Sequence, residues 1–145
     1  MSCARGPQAG LREAAASRVA TRTTSDQVSF TFPHERLDVF HVAVELAEVS
    51  RGVADRIPRG YRRLADQLQR SGTAPALLIA EGANRRARGD KRQRFSEANG
   101  EAGEAAATVT VGLRLGVVSE QDGMAVRRLA ARVAAMSTRL VRRFS

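Results

Sequence analysis

The chain has 145 residues, of which 43% are hydrophobic, and a formal net charge of +9, so one domain with its own core is expected. Its single cysteine, Cys3, excludes an internal disulfide and a cysteine-based metal site and favours a reducing, cytoplasmic setting, and no apolar run approaches the roughly 18 residues of a membrane-spanning helix. The charge is concentrated at +7 in residues 57–96 and +4 in residues 117–145, a polarity that suits nucleic acid, an acidic protein partner or packing between like subunits.

The N-terminal third divides into an arm and a helix. Residues 1–31 offer little to anchor a helix, and we predict a flexible arm ahead of a domain over 32–145. Helix one is predicted over about 36–56, where two adjacent apolar stripes cover about two thirds of the circumference. The stripes are Val39, Val42, Leu46, Val49 and Val53, and beside them Leu37, Phe40, Ala43, Val44 and Ala47. A surface helix needs an apolar arc of only about 100°, so we expect more than one neighbour and association between copies of the chain.

Helix two is predicted over about 61–80, after a break at Ile57-Pro58. Pro75 lies inside the helical pattern and predicts a kink, because it removes one intrahelical hydrogen bond. Gly82 is interpreted as the C-terminal cap.

Two further helices are predicted over about 90–115 and 120–144. Alanine and glycine dominate the first of these between residues 98 and 107, which allows close approach of another helix. The second begins with Ser119 and Asp122, a pattern typical of a helix start. Four helices with short links and no strand pattern predict an all-α, antiparallel up-down-up-down four-helix bundle.

Cations are densest between the second and third helices. We interpret them, together with four arginines within about 60° of one another on helix four, as candidate phosphate contacts; a solvated turn is the alternative. The candidate nucleic-acid-binding residues are Arg85, Arg86, Arg88, Lys91, Arg92, Arg94, Arg128, Arg132, Arg139 and Arg143. Few aromatic residues are available for base stacking, which favours backbone or shape recognition.

The carboxylates of helix three predict ion pairs. Glu97, Glu101 and Glu104 share a face, but no Glu-x-x-His motif accompanies them, so we expect no metal and no cofactor. We expect Glu81 or Glu104 to pair with Arg70 or Arg88. No nucleophile and base are combined in a pattern that predicts catalysis, so we expect a protein that is not an enzyme.

Several short patterns occur in a fixed order along the chain. They are Leu37-Asp38-Val39-Phe40, Ile57-Pro58, Gln67-Leu68-Gln69-Arg70, Ile79-Ala80-Glu81-Gly82, Phe95, Ala98-x-Gly100-x-x-x-Glu104 and Leu115-Gly116. Over about residues 32–144 this order resembles the four-helix-bundle family named after 23S ribosomal RNA intervening sequences. The resemblance implies a ring-like homopentamer with a basic surface and a relation to accessory proteins of diversity-generating retroelements, which pair with a reverse transcriptase and nucleic acid.

Two hypotheses for function follow. The first is a non-enzymatic, homo-oligomeric basic bundle that binds RNA, DNA or a nucleoprotein. The alternative is a structural or protein-recruiting oligomer in which the cations between helices two and three bind an acidic protein partner, without nucleic acid.

Overall fold

A computed structural model describes residues 31–145. The helices are α1 (Asp38–Arg56), α2 (Arg62–Asn84), α3 (Arg88–Arg114) and α4 (Glu120–Arg143), with short 3-10 turns at Pro33–Arg36 and Arg59–Tyr61. No strand occurs among these residues, and none of their helices is long and apolar enough to cross a membrane. The arm predicted over 1–31 lies outside the described residues except for Thr31.

The four helices pack as a bundle in which each contacts its chain neighbours, and α4 also packs against α1. The connections are short, at residues 57–61, 85–87 and 115–119, so consecutive helices run antiparallel. Arg56 at the end of α1 forms an ion pair with Asp122 at the start of α4, so α1 and α4 are antiparallel as well. The predicted all-α four-helix bundle is confirmed.

The core combines large side chains from three helices with small ones from α3. Leu46 of α1, Leu68 of α2 and Val133 of α4 are fully buried. From α3, Phe95 fills one end of the bundle, and the residues that follow it inward are Ala98, Ala102 and Ala105, each 0% exposed. Because a methyl group is the largest side chain at these three positions, the backbone of α3 lies close to both α2 and α4.

The boundary between α2 and α3 differs from the sequence prediction. Gly82 was interpreted as a cap, but α2 continues to Asn84 and α3 begins at Arg88. Gly82 is buried inside the helix, and a Cβ there would lie 2.9 Å from Cε1 of Phe95. The glycine therefore allows α3 to approach, with no turn at that position, and Arg85 takes the C-cap position in an extended conformation. The connection shrinks to residues 85–87, which places Arg88 on α3 together with Lys91, Arg92 and Arg94.

The connection between α3 and α4 agrees with its sequence pattern. Gly116 adopts φ 73°, a left-handed conformation that ends α3 and that glycine adopts without steric cost. The Ser119 side chain then accepts a hydrogen bond from the Asp122 backbone N–H, at 3.1 Å, which caps the first turn of α4. Pro75 is buried within α2, which remains one helix through it.

Candidate functional site

The two basic segments of the chain meet at one end of the bundle. Arg88 Nη2 at the start of α3 donates to the Arg143 backbone oxygen at the end of α4, at 2.8 Å. The Phe144 ring lies 5.9 Å from the Phe95 ring, and three cations surround it: Arg88 at 5.4 Å, Lys91 at 5.6 Å and Arg143 at 5.6 Å. We call this end, formed by residues 82–94 and 139–144, the basic end.

Two cations of the basic end donate hydrogen bonds to the C-terminal carbonyl groups of neighbouring helices. Lys91 Nζ donates to the backbone oxygens of Ala83, at 3.0 Å, and Gly82, at 3.4 Å, at the end of α2. Arg88 binds the last carbonyl of α4 in the same way. The last carbonyls of a helix lack partners within it and carry partial negative charge, so a cation there is stabilising. Arg88 and Lys91 therefore contribute to the fold, with part of their donor capacity already used.

Glu81 compensates two more of the candidate cations. Its carboxylate lies 2.6 Å from Arg85 Nη2 and 3.2 Å from Arg94 Nε, and Arg94 also binds Glu97 at 2.8 Å. The Arg85 guanidinium, with Arg94 beside it, lowers the pKa of the Glu81 carboxyl below its ordinary value of 4.5. Arg85 and Arg94 thus have a carboxylate partner within the chain, which weakens the case for them as phosphate contacts.

A second cluster joins the middle of α2 to α3. Arg70 lies 2.8 Å from Glu104 and 3.2 Å from Glu101, and Gln67 Nε2 donates to Glu104. Of the pairings expected for Glu81, Glu104, Arg70 and Arg88, the structure contains the one between Arg70 and Glu104, whereas Glu81 contacts neither Arg70 nor Arg88. Among residues 31–145 no three acidic, histidine or cysteine side chains are placed to hold a metal ion.

The remaining candidates are exposed and uncompensated. They are Arg86, Arg92, Arg128, Arg132 and Arg139, which have no ion pair or hydrogen bond from their side chains within residues 31–145. Arg143 is also exposed, and its guanidinium contacts the Phe144 ring. We call Arg128, Arg132, Arg139 and Arg143, four exposed residues of α4, the α4 row; Arg139 and Arg143 line a cavity with Asp38 of α1 but form no ion pair with it. Arg139 and Arg143 belong to both the row and the basic end, so the uncompensated charge forms one surface.

A model of the 23S rRNA-intervening sequence protein family matches residues 35–139, which include nearly all of the four helices. The chain belongs to this family. A comparison with curated proteins gives no significant match. The matched residues include every candidate cation except Arg143.

Sequence reasoning missed an ion pair that ties the opposite end of the bundle together. Arg56 donates to Asp122 through Nε and Nη2, each at 2.9 Å. The Arg56 guanidinium lowers the pKa of Asp122, and Asp122 in turn raises that of Arg56. The two residues are 66 positions apart in the sequence, and no local sequence pattern predicts their contact.

Sequence reasoning also missed three arginines in and just before the first turn of α2. Arg59, Arg62 and Arg63 are exposed, and the first two line a cavity of about 390 Å³ together with Asp55 and Asp66. The high charge of residues 57–96, to which they contribute three of ten cations, was the signal that could have found them. Because the same cavity holds two carboxylates, its local charge is close to balanced, and it makes a weaker polyanion site than α4.

Proposed function

We propose that this protein is a non-enzymatic, cytoplasmic nucleic-acid-binding bundle whose contact surface is the α4 row, extended by Arg86 and Arg92 at the basic end. One observation carries the proposal: four exposed arginines lie within about 60° of one another on α4, and none forms an ion pair within residues 31–145. An uncompensated guanidinium keeps its donors for phosphate oxygens, which it binds in a bidentate manner.

The carboxylates of the bundle are engaged elsewhere. All ion pairs among the described residues involve arginines of α1, α2, α3 or the α2–α3 connection, and none involves an arginine of α4. Arg128 with Arg132, and Arg139 with Arg143, are like charges four residues apart, which destabilises a helix by about 0.2–0.5 kcal/mol per pair. A bound polyanion would remove this repulsion, which favours a functional origin for the row.

The family adds support of a different kind. Its description refers to an intervening sequence of 23S rRNA, and an RNA context agrees with binding through phosphates. The resemblance to accessory proteins of diversity-generating retroelements points the same way, because those proteins pair with a reverse transcriptase and nucleic acid.

The test is binding to structured RNA and to DNA across a salt series. Arg128→Gln, Arg132→Gln and Arg139→Gln in one variant should weaken binding and reduce the slope of log affinity against log salt by about 3, since each duplex phosphate contact contributes about 0.9. A matched variant with Arg36→Gln, Arg63→Gln and Arg114→Gln removes the same charge from other exposed positions and should leave that slope nearly unchanged. Negligible binding at about 50 mM salt, where phosphate contacts are strongest, would refute the proposal.

A second proposal concerns self-association, and it is favoured by α1. The intramolecular core covers Val39, Val42, Ala43 and Leu46, but Val44 remains 40% exposed, and Phe40 beside it is half-buried. We propose that a second copy of the chain covers the exposed surface formed by Phe40 and Val44. The family resemblance predicts five subunits. Light scattering should show an oligomer that Val44→Lys weakens and that Val111→Lys, at an exposed apolar residue of α3, leaves intact; a wild-type monomer at micromolar concentration would contradict the proposal.

A protein-recruiting scaffold is the competing role for such an oligomer. An acidic partner, a reverse transcriptase among them, would bind the same arginines without nucleic acid. Capture on tagged protein, with and without nuclease, separates the two roles: partners that survive nuclease favour the scaffold, and partners lost with it favour a nucleoprotein.

A further inference from the structure

The spacing of the α4 row carries information about what it contacts. Arg128 and Arg132 form one pair four residues apart, and Arg139 and Arg143 form another. Along an α-helix that rises about 1.5 Å per residue, the two members of each pair are roughly 6 Å apart, and the pair midpoints are roughly 16 Å apart. The row is therefore two separate guanidinium pairs on one rigid helix.

The surface between the two pairs is low and uncharged. Ala135 is exposed there, midway between Arg132 and Arg139, and Met136 beside it is half-buried, so no exposed long side chain projects from the middle of the row. The opposite side of α4 is fixed in the bundle, because Val126, Val133 and Ser137 are each 0% exposed and α4 packs against both α1 and α3. The helix therefore presents only its outer side, with α1 and α3 flanking it, and these neighbours hinder its insertion into a deep groove.

Nucleic-acid grooves differ in depth as well as in width. The major groove of B-form DNA is about 8.5 Å deep, and a helix reads it by insertion. The minor groove of A-form RNA is wide and shallow and displays 2′-hydroxyl groups between its two phosphate strands. We propose that the α4 row binds double-stranded RNA in the A form, with one arginine pair on the phosphates of each strand across the minor groove. This inference rests on the proposed nucleic-acid-binding function and names its substrate class.

Ala135 fits this placement. Its methyl group lets the sugar edges of the RNA approach the helix, while the longer arginines on either side reach outward to the strands. Recognition of this kind depends on groove shape and on phosphates, with no base sequence selected.

Single strands fit the surface less well. Proteins that bind single strands stack successive bases on aromatic side chains, and the exposed large aromatic residues of the described chain are Phe32 and Tyr61. Neither lies on α4. Phe144, next to the row, is packed against Phe95 and surrounded by cations. The rigid spacing of the two pairs also suits two strands held at a fixed separation better than one flexible strand.

The experiment compares four ligands of one sequence at equal salt: a 20-base-pair RNA duplex, the corresponding DNA duplex, and the single RNA and DNA strands. The expected result is that the full-length protein binds the RNA duplex at least about tenfold more tightly than the other three, through the shallow-groove fit. Equal affinity for RNA and DNA duplexes, or for duplex and single strands, overturns the inference and leaves the proposed function standing. Absence of binding to all four ligands overturns the proposed function as well.

Two neutral substitutions locate the groove. Ala135→Leu adds bulk between the arginine pairs and should lower affinity for the RNA duplex about tenfold, with little change for single strands. Ala107→Leu makes the same change at an exposed alanine of α3 and should have no effect on either ligand. Circular dichroism of both variants checks that they fold. Unchanged RNA-duplex affinity in folded Ala135→Leu, or an equal loss in both variants, overturns the placement of the groove over α4.

Discussion

The contact between α1 and α2 at Gly72 leads to a quantitative prediction for stability. A Cβ at this position would lie 2.3 Å from both Cβ and Oγ of Ser50, and Ser50 is itself 0% exposed. Carbon atoms in contact prefer about 3.5–4.0 Å, and because the Ser50 Cβ is attached directly to the backbone, no rotamer change removes the overlap. Gly72→Ala must therefore push the two helices apart.

The expected magnitude is a balance of two effects. Replacing glycine by alanine inside a helix stabilises it by about 1 kcal/mol, whereas overpacking a close-packed core costs about 1–3 kcal/mol. With the overlap directed at a Cβ atom, the cost lies at the upper end, and Gly72→Ala should lower the free energy of unfolding by about 2 kcal/mol. Urea unfolding followed by far-UV circular dichroism measures this change.

Ser50→Gly provides the control, because it removes the atoms with which the new methyl group collides. The double variant should be more stable than the sum of the two single effects predicts, by about 1–2 kcal/mol, as expected for residues in contact. The reasoning fails if Gly72→Ala is as stable as the wild type, or if the two substitutions are additive.

Three further predictions concern stability. Gly103→Ala should stabilise the protein by about 1 kcal/mol, since a Cβ there meets nothing within 4 Å. A lower midpoint of thermal unfolding in this variant would contradict the prediction. The Arg56 guanidinium lowers the pKa of Asp122 below its ordinary 3.8, so the pair stabilises the fold above that pH and ceases to do so as pH falls through the lowered pKa. Asp122→Asn should accordingly lower the urea midpoint at neutral pH, with the difference vanishing in strong acid, and a difference that persists there would contradict the pairing. Lys91→Gln should destabilise the protein by about 1 kcal/mol through the lost cap on α2 without changing the salt slope of nucleic-acid binding, whereas a reduced slope would make Lys91 a phosphate contact.

Helical periodicity was sufficient to predict the four helices and the bundle. The apolar residues of α1 and α4 recur at intervals of three and four, and the links between helices are too short for any but an antiparallel arrangement. The boundary at Gly82 was predicted wrongly because a glycine at the end of an apolar pattern has two physical explanations, a left-handed cap or a close approach of another helix. Only the position of Phe95, thirteen residues later in the chain, distinguishes them.

That single boundary also decides which cations are compensated. Because α2 continues for one more turn, to Asn84, the C-cap residue Arg85 lies one turn from Glu81 and forms an ion pair with it. The same extension places the last carbonyls of α2 within reach of Lys91. A count of charges cannot distinguish cations used in this way from the uncompensated arginines of α4, since the difference depends on contacts between helices.

The alanines of α3 have a consequence for how firmly the α4 row is held. Alanine has no side-chain rotamers to lose on folding, so the contacts of Ala98, Ala102 and Ala105 with α2 and α4 have one arrangement, set by the backbone. A surface held in this way is preorganised, and a rigid ligand that matches it meets little ordering cost on binding. An enlarged side chain at any of these three positions would displace α4 as a unit. The distance between the arginines of α4 and the cations of α3 would then change while α4 itself stayed helical.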